Sequence, residues 1–203
     1  MHLTGTTTES STRAFRAAVN MLATSRRRSH LRSRPRARSE ATGLGCTEQP
    51  ILMITPTAGR RSTGSVPADL ALVRRLSSDE YDTFAGLVAG TFGVTPESVA
   101  GVYTAEVLAN PLIGAYVAET RNGTAVSVGV GLLTDGHLGM ANVGTLPPFR
   151  RQGYARVLTE TILRRGTLAG AHTAYLHASD ETVPFFERLG FTARAGWSLP
   201  HAS

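Results

Sequence analysis

The stretch from Val143 to Arg156 joins a short apolar run to a basic turn that contains glycine and opens a helix. Gly153 has no side chain, so a ligand can approach the backbone there, and Ala155 is nearly as permissive. The N–H groups that follow belong to a helix N-terminus, whose unpaired donors and dipole favour an anion. Three arginines add positive charge at the same place: Arg150, Arg151 and Arg156. The stretch predicts a cradle for a phosphate group; the alternative is a plain turn followed by a helix with solvated arginines.

Two blocks of sequence resemble the GCN5-related N-acetyltransferases, the GNAT superfamily. The first is Arg150-x-x-Gly153-x-Ala155 after Thr145-Leu146-Pro147, which is similar to the acyl-CoA signature of that family. The second runs from Ala174 to Ser179 and continues with Phe185 to Phe191, like the family's strand, helix and terminal Gly-Phe. The blocks have the family's order and spacing, and the resemblance covers roughly residues 68–199.

The pattern of strand, helix and turn signals predicts a mixed α/β (α+β) domain. Its mostly antiparallel central sheet would carry helices on both faces, in the order β-α-α-β-β-β-α-β-α-β. Asn122-Gly123 is a hairpin signal within the central meander. The predicted strands are Leu70–Leu76, Leu112–Glu119, Val126–Leu132, Met140–Leu146, Thr173–Ala178 and Phe191–Trp197. The predicted helices begin near Ser77, at Thr95-Pro96 (through Val107), at the cradle and at Val183.

The resemblance implies transfer of an acetyl group from acetyl-CoA to a primary amine, with a small-molecule acceptor preferred. In the family, free backbone groups of the strand before the cradle bind the pantetheine arm, and the cradle binds the pyrophosphate. By that match the cofactor-binding residues are Val143, Gly144, Thr145, Arg150, Arg151, Gln152, Gly153, Tyr154, Ala155, Arg156, Ser179 and Phe186.

The catalytic candidates follow from what acetyl transfer needs. The Thr145 N–H is the preferred donor to the thioester oxygen, and Ser179 is placed to protonate the departing thiolate. Glu119 is the preferred general base, with His177 and His137 as rivals. The family often has a tyrosine where this chain has Phe186, which cannot donate a proton. The alternative function is therefore a CoA-binding regulatory module that has lost turnover.

Charge is unevenly divided along the 203 residues. Residues 1–66 contain 11 Arg and 3 Glu, whereas residues 67–203 contain 10 Arg and 12 acidic residues. The first segment is rich in Arg and Ser and is expected to be a disordered extension, with the acetyltransferase domain spanning 67–203. The preferred interpretation is a functionless tail, or a start codon assigned too early, with the working protein beginning downstream, for example at Met53. The alternatives are a transit peptide and a nonspecific contact with nucleic acid or anionic lipid.

The composition also indicates in which cellular compartment the protein lies and which binding partners are expected. The single Cys46 leaves no intrachain disulfide, and no apolar run approaches the about 18 residues of a membrane helix, so a cytoplasmic protein without membrane association is the default. The domain's net charge gives no reason to expect specific nucleic-acid binding. The six histidines are scattered and predict no metal site. Dimers are common in the family, so a homodimer is compatible with the sequence.

Overall fold

Seven strands pair into one sheet in the part of the chain that the computed structural model describes, residues 50–60, 62 and 64–194. The strands are β1 (Ile51–Pro56), β2 (Leu70–Arg75), β3 (Ile113–Thr120), β4 (Ala125–Thr134), β5 (His137–Thr145), β6 (Thr173–Ala178) and β7 (Thr192–Ala193). Their spatial order is β2-β3-β4-β5-β6-β1-β7. Every neighbouring pair is antiparallel except β5 and β6, which are parallel. The predicted fold class is thus confirmed.

Five α-helices lie within the described residues: α1 (Tyr81–Phe92), α2 (Pro96–Ala100), α3 (Ala105–Ala109), α4 (Tyr154–Leu168) and α5 (Val183–Arg188). The one helix predicted from Thr95 to Val107 is in fact two, α2 and α3. Thr95 and Thr104 each accept a hydrogen bond from the backbone N–H three residues later, at 3.3 Å. Since a threonine N-cap stabilises a helix start, the second cap begins a new helix.

The hydrophobic core has two halves, one on each face of the sheet. Helices α1 to α3 cover one face through Phe84, Val88, Val99 and Tyr103, which pack on β3 and β4. Helices α4 and α5 cover the other face, where Leu158 and Ile162 meet residues of β1, β5 and β6. Helices therefore lie on both faces, as the sequence predicted.

The first strand corrects the predicted domain boundary at residue 66. Strand β1 lies inside the sheet, between β6 and β7, and pairs with β6 from Ile51–Ala178 to Pro56–Thr173. Met53 is fully buried in the core beneath α4 and α5. The segment from Ile51 is thus part of the folded domain, because its apolar side chains complete a core that the later strands leave open. Residues 1–49 of the predicted extension lie outside the described residues, as does the end of the strand predicted to run from Phe191 to Trp197.

Irregular backbone follows β1 and precedes β2, and we call its described residues, 57–60, 62 and 64–67, the strap. It begins near the C-terminal end of α4, where the Thr57 hydroxyl donates to the Ala171 carbonyl at 2.5 Å. It reaches the N-terminal end of α4, where the Arg156 guanidinium donates to the Ser65 carbonyl. The strap thus runs the length of α4, and a cavity of about 410 Å³ lies between its first half and the helix.

Candidate active site

Strands β5 and β6 separate before either of them ends. Their parallel pairing runs from His137–Thr173 to Met140–Leu176, whereas β5 continues to Thr145 and β6 to Ala178. A fork opens between residues 141–145 on one side and 177–179 on the other. Strand β1 holds the second side, since Leu52 pairs with His177.

The backbone of β5 presents free groups to this fork. The Leu146 N–H donates to the Val126 carbonyl at 2.9 Å, and neighbouring residues of a strand point their backbone groups in opposite directions. Gly144, which pairs with Val128, therefore faces β4. Val143 and Thr145 direct their N–H groups away from β4, into the fork. Both residues were predicted to bind the cofactor arm, and the geometry brings them together there.

Gly144 is required by the close approach of α1. A Cβ atom at this position would stand 2.4 Å from Thr91 Cγ2 and 3.0 Å from the Phe92 ring. The glycine thus lets the end of α1 rest directly on β5 beside the fork.

The predicted cradle is the N-terminus of α4. Gly153 has a φ of +93° and precedes the helix without providing a side-chain cap. The first helical hydrogen bond in the described backbone joins Val157 N–H to the Gly153 carbonyl. The N–H groups of Tyr154, Ala155 and Arg156 precede that bond and so face outward, as an anion site requires.

Arg150 was predicted to bind the cofactor, but its guanidinium is held by protein carbonyls. Its Nε donates to the Thr145 carbonyl at 3.1 Å, and a terminal nitrogen donates to the Thr91 carbonyl at 3.0 Å. Thr91 lies in the last turn of α1, where unpaired carbonyls attract a cation. The side chain therefore ties α1 to the end of β5, and its contact with a cofactor stays a prediction.

Tyr154 also departs from its predicted role. Its side chain is buried in the core under α4, and its hydroxyl donates to the Asp69 carboxylate just before β2. Burial, with the carboxylate beside it, raises the pKa of Tyr154 to about 12. Only the Tyr154 backbone N–H faces the cradle, because the helix turns the ring inward.

Of the remaining cradle side chains, Arg151 and Gln152 lie at the surface and Arg156 is partly buried. Arg151 is exposed and has a φ of +65°, which turns the chain into the helix. Gln152 is exposed and donates to the Pro148 carbonyl at 3.3 Å. Arg156 binds both Glu160 carboxylate oxygens at 3.3 Å and also contacts the strap at Ser65. An anion at the cradle would therefore share Arg156 with Glu160 and the strap, which the sequence did not indicate.

Ser179 and Phe186 lie on the β6 side. Ser179 ends β6, and its hydroxyl lies 3.1 Å from the Thr182 hydroxyl in the turn before α5. Phe186 is buried between Phe185 and Phe191, with ring centroids 4.9 and 5.7 Å away. Its ring belongs to the core, and the predicted contact with a cofactor stays a prediction.

Two of the three predicted general bases lie away from the fork. The Glu119 carboxylate accepts from Arg74 Nε at 2.7 Å, and Arg74 also binds Glu80. Glu119 lies on β3, two strands from β5, so the structure does not bring this predicted base to the fork. His137 is exposed at the start of β5, roughly 25 Å from Thr145 at 3.3 Å per residue.

His177 is the predicted base that lies at the fork. It follows Leu176, the last residue of β6 that pairs with β5, and its side chain points to the face opposite Leu176 and Ala178, which face α4 and α5. Half-burial lowers the pKa of His177 below its ordinary value of 6.5. The imidazole is therefore neutral at pH 7 and able to accept a proton.

A buried polar pair at the fork was not predicted. The Asn142 side chain donates from Nδ2 to the Tyr103 hydroxyl at 2.8 Å. Asn142 has a φ of +54°, a conformation that asparagine tolerates better than most residues. The sequence gives a weak signal only, an asparagine inside an otherwise apolar strand.

Neither a membrane helix nor a metal cluster is found within the described ranges. No helix there is both long and apolar enough to cross a bilayer. Among the same residues, no three His, Cys, Asp or Glu side chains are grouped to hold a metal ion.

Comparison with known proteins identifies the family. Residues 111–193, from just before β3 to β7, match the model of the acetyltransferase (GNAT) domain. The fork, the cradle and the strands that form them all lie within this range. The resemblance to the GCN5-related N-acetyltransferases is confirmed for these residues, which match the GNAT domain.

Solved structures share the fold. A GCN5-related N-acetyltransferase from Kribbella flavida is 21% identical with a TM-score of 0.52, over 73% of this chain and 59% of that one. An acetyltransferase from Trypanosoma brucei is 20% identical with a TM-score of 0.53, and the match covers 66% of this chain and 100% of that one. A predicted acetyltransferase with acetyl-CoA from Clostridium acetobutylicum is 16% identical with a TM-score of 0.55, and the match covers 64% of this chain and 95% of that one. The chain thus spans about three fifths of the first of these proteins. No curated protein matches the sequence significantly.

Proposed function

We propose that this chain transfers an acetyl group from acetyl-CoA to the primary amine of a small molecule. The observation that carries the proposal is the continuity of the fork with the cradle. A strand with free N–H groups at Val143 and Thr145 leads directly to a helix N-terminus with free N–H groups. An extended thioester with a pyrophosphate at its far end needs both features in this order.

The geometry favours Val143 over Thr145 as the donor to the thioester oxygen. The pyrophosphate would sit at Gly153, so the arm would run back along β5 toward the point where β5 leaves β6. The thioester is at the far end of that arm. Val143 lies closer to this point than Thr145 and also turns its N–H into the fork. In this scheme Thr145 binds the arm and Val143 polarises the carbonyl.

The amine nitrogen would then form a bond to the carbonyl carbon as the carbon–sulfur bond breaks. His177 is the proposed acceptor of the amine's proton, directly or through water, because it is neutral and lies at the fork. The leaving thiolate takes up a proton; Ser179 at the end of β6 is the nearest predicted donor.

A CoA-binding module without turnover is the second candidate. It is favoured by Phe186, which is buried among other phenylalanines and offers no hydroxyl. The two functions differ in one observable quantity, the release of free CoA thiol when an amine is added to the protein with acetyl-CoA.

The test is calorimetric titration of the full chain with acetyl-CoA and then with CoA. We expect micromolar binding of both, followed by thiol release with at least one member of a panel of polyamines, amino sugars and amino acids. Binding without thiol release would support the second candidate. A folded protein that binds neither ligand would overturn both.

Gly153→Val locates the binding at the cradle. A Cβ atom there would stand 3.7 Å from the Arg156 guanidinium, 3.8 Å from Pro67 and 3.9 Å from the Ser65 carbonyl. The larger valine side chain would crowd the cradle beside the free N–H groups, so affinity should fall about tenfold or more. Gly170→Val is the matched control: Gly170 has a φ of +94°, a Cβ atom added there would meet no other atom within 4 Å, and the residue follows the other end of α4. The control carries the same backbone strain and should bind normally. Equal affinities of the two variants would contradict a cradle at Gly153.

A further inference from the structure

Strand β5 contains a bulge immediately before the proposed carbonyl donor. Val128 pairs with Gly144, but Val130 pairs with Ala141. Asn142 and Val143 therefore both stand opposite the single residue Gly129. The bulge turns the chain at Asn142, where φ is +54°. The direction of the Val143 N–H depends on this turn, because one flipped residue reverses the side to which the next one points.

A hydrogen bond from outside the sheet holds the turn. Asn142 Nδ2 donates to the Tyr103 hydroxyl at 2.8 Å, and the two residues are only 8% and 2% exposed. Tyr103 lies in the loop between α2 and α3, and its ring packs edge-on against Phe84 of α1, with centroids 4.9 Å apart. Its backbone N–H donates to the Val99 carbonyl of α2 at 2.9 Å, so α1 holds the ring and α2 holds the backbone. If this hydrogen bond broke, both buried polar groups would be left without a partner, because no solvent reaches them. The free-energy cost keeps Asn142 and Tyr103 in place.

We propose that the Asn142–Tyr103 pair is a positioning device that aims the Val143 N–H at the thioester oxygen. The inference rests on the proposed function, which assigns that oxygen to the fork. Neither side chain is required to touch the reacting atoms: Tyr103 anchors Asn142, and Asn142 fixes the bulge. The pair also connects the donor to α2 and α3, which border the same face of the sheet as His177.

The chemistry of the two residues suits this role. Asparagine is among the few residues that occupy positive φ at small cost, and its amide offers a donor for Tyr103. Burial raises the pKa of the Tyr103 hydroxyl well above its usual value, so the phenol stays neutral throughout the physiological range. The bond does not depend on a titration and keeps the bulge fixed at any working pH.

The experiment observes the thioester carbonyl directly and needs no acceptor. Acetyl-CoA labelled with carbon-13 at its carbonyl is bound to the full chain, and the carbonyl resonance is compared with that of free acetyl-CoA. A hydrogen bond to the oxygen draws electron density from the carbon, so the wild-type resonance should move downfield. In Tyr103→Phe and Asn142→Ala it should return toward the free value. Affinity for CoA should stay within about threefold, since the cradle is unchanged.

Further variants distinguish a loss of the positioning hydrogen bond from a general loss of packing or folding. Asn142→Gly permits the positive φ without the tether and should also lose the downfield shift; it decides the question if Tyr103→Phe fails to fold. Tyr81→Phe removes a hydroxyl from the same hydrophobic cluster, in the first turn of α1, and should keep the wild-type resonance. The double variant Tyr103→Phe/Asn142→Ala should be no worse than either single variant, because one bond is lost in all three.

The outcomes distinguish two failures. A folded wild-type protein that does not bind acetyl-CoA would overturn the proposed function itself. Wild-type binding with no downfield shift, or a wild-type resonance retained in Tyr103→Phe or Asn142→Gly, would overturn the positioning role and leave the proposed function standing.

Discussion

At the scale of single residues, the geometry of the fork depends on Gly144, which has no side chain. The Cβ-free surface of Gly144 lets Thr91 and Phe92 of α1 lie against β5. The same helix end is held by Arg150, which bonds the carbonyls of Thr91 and Thr145. Steric contact and hydrogen bonding thus fix the spacing between α1 and the strand that carries Val143.

Gly144→Ala should destabilise the protein by about 1–3 kcal/mol, because the added carbon would stand 2.4 Å from Thr91 Cγ2 and force α1 outward. The matched change Gly86→Ala lies within α1 itself, where nothing would contact the new carbon. It should stabilise the helix by about 0.5–1 kcal/mol. Urea unfolding of both variants measures these changes, and an equally stable Gly144→Ala would show that α1 yields freely.

His177 should make stability depend on pH. Because its pKa is lower in the folded protein than its ordinary value of 6.5, the unfolded chain binds a proton more readily. This residue therefore has no effect well above pH 6.5 and destabilises the fold as the pH falls below that value. His177→Gln should lose less stability than the wild type between pH 7.5 and pH 5, as measured by urea unfolding. His137→Gln, at an exposed position, serves as the control, and equal losses in wild type and His177→Gln would refute the effect.

Sequence patterns identified the backbone of the site better than its side chains. Gly153 and the helix that follows it were predictable, because the need for a side-chain-free approach and the helix period are local. The pattern could not show whether Arg150 faces a ligand or a carbonyl, since Thr91 lies far away in sequence. Nor could it show that Glu119 lies away from the fork, since Arg74, its ion-pair partner, comes from a neighbouring strand.

At the scale of elements, β1 is the least predictable and most consequential part of the fold. Its short apolar run, Ile51 to Ile54, reads equally well as a strand or as part of an irregular tail. This segment becomes a strand only because it pairs with β6 and β7, and those strands are distant in sequence. Strand β6 and the starts of helices α4 and α5, by contrast, follow from local sequence signals and were predicted nearly to the residue.

Removing β1 should abolish folding. A chain beginning at residue 65 lacks the strand between β6 and β7 and the buried Met53, and it leaves the His177 side of the fork without a partner. We expect it to be insoluble or to lack a cooperative thermal transition, whereas a chain beginning at residue 50 should unfold cooperatively. A chain beginning at Met53 keeps only part of β1 and should be less stable than the latter. Cooperative unfolding of the chain from residue 65 would contradict the role of β1.

At the scale of the whole molecule, the formal positive charge belongs to the residues that precede β1 in the sequence. Residues 50–203 contain 12 Arg and 12 acidic residues, so the chain's formal excess of +6 comes from residues 1–49, with 9 Arg and 3 Glu. Residues 50–203 therefore have no formal net charge. An anionic ligand would be attracted by the arginines and free N–H groups at the cradle and not by the net charge of these residues.

Deleting residues 1–49 should remove any salt-sensitive affinity for polyanions. The full chain should be retained on a heparin column and released by rising salt, because arginine contacts with a polyanion displace counterions. The chain from residue 50 should pass through at the same salt concentration. Retention of the shorter chain would place a basic surface on the folded part, contrary to its charge balance.

The place of β1 in the sheet has a consequence for how the protein is made. During synthesis, β1 leaves the ribosome long before its partners: Thr55 bonds to Gly190, 135 positions further along the chain. Until β6 and β7 have emerged, its apolar side chains have no sheet to join, and closing so long a loop is slow. The domain must therefore finish folding after nearly all of it has been translated, and a nascent chain that stalls before residue 173 carries an exposed, aggregation-prone strand.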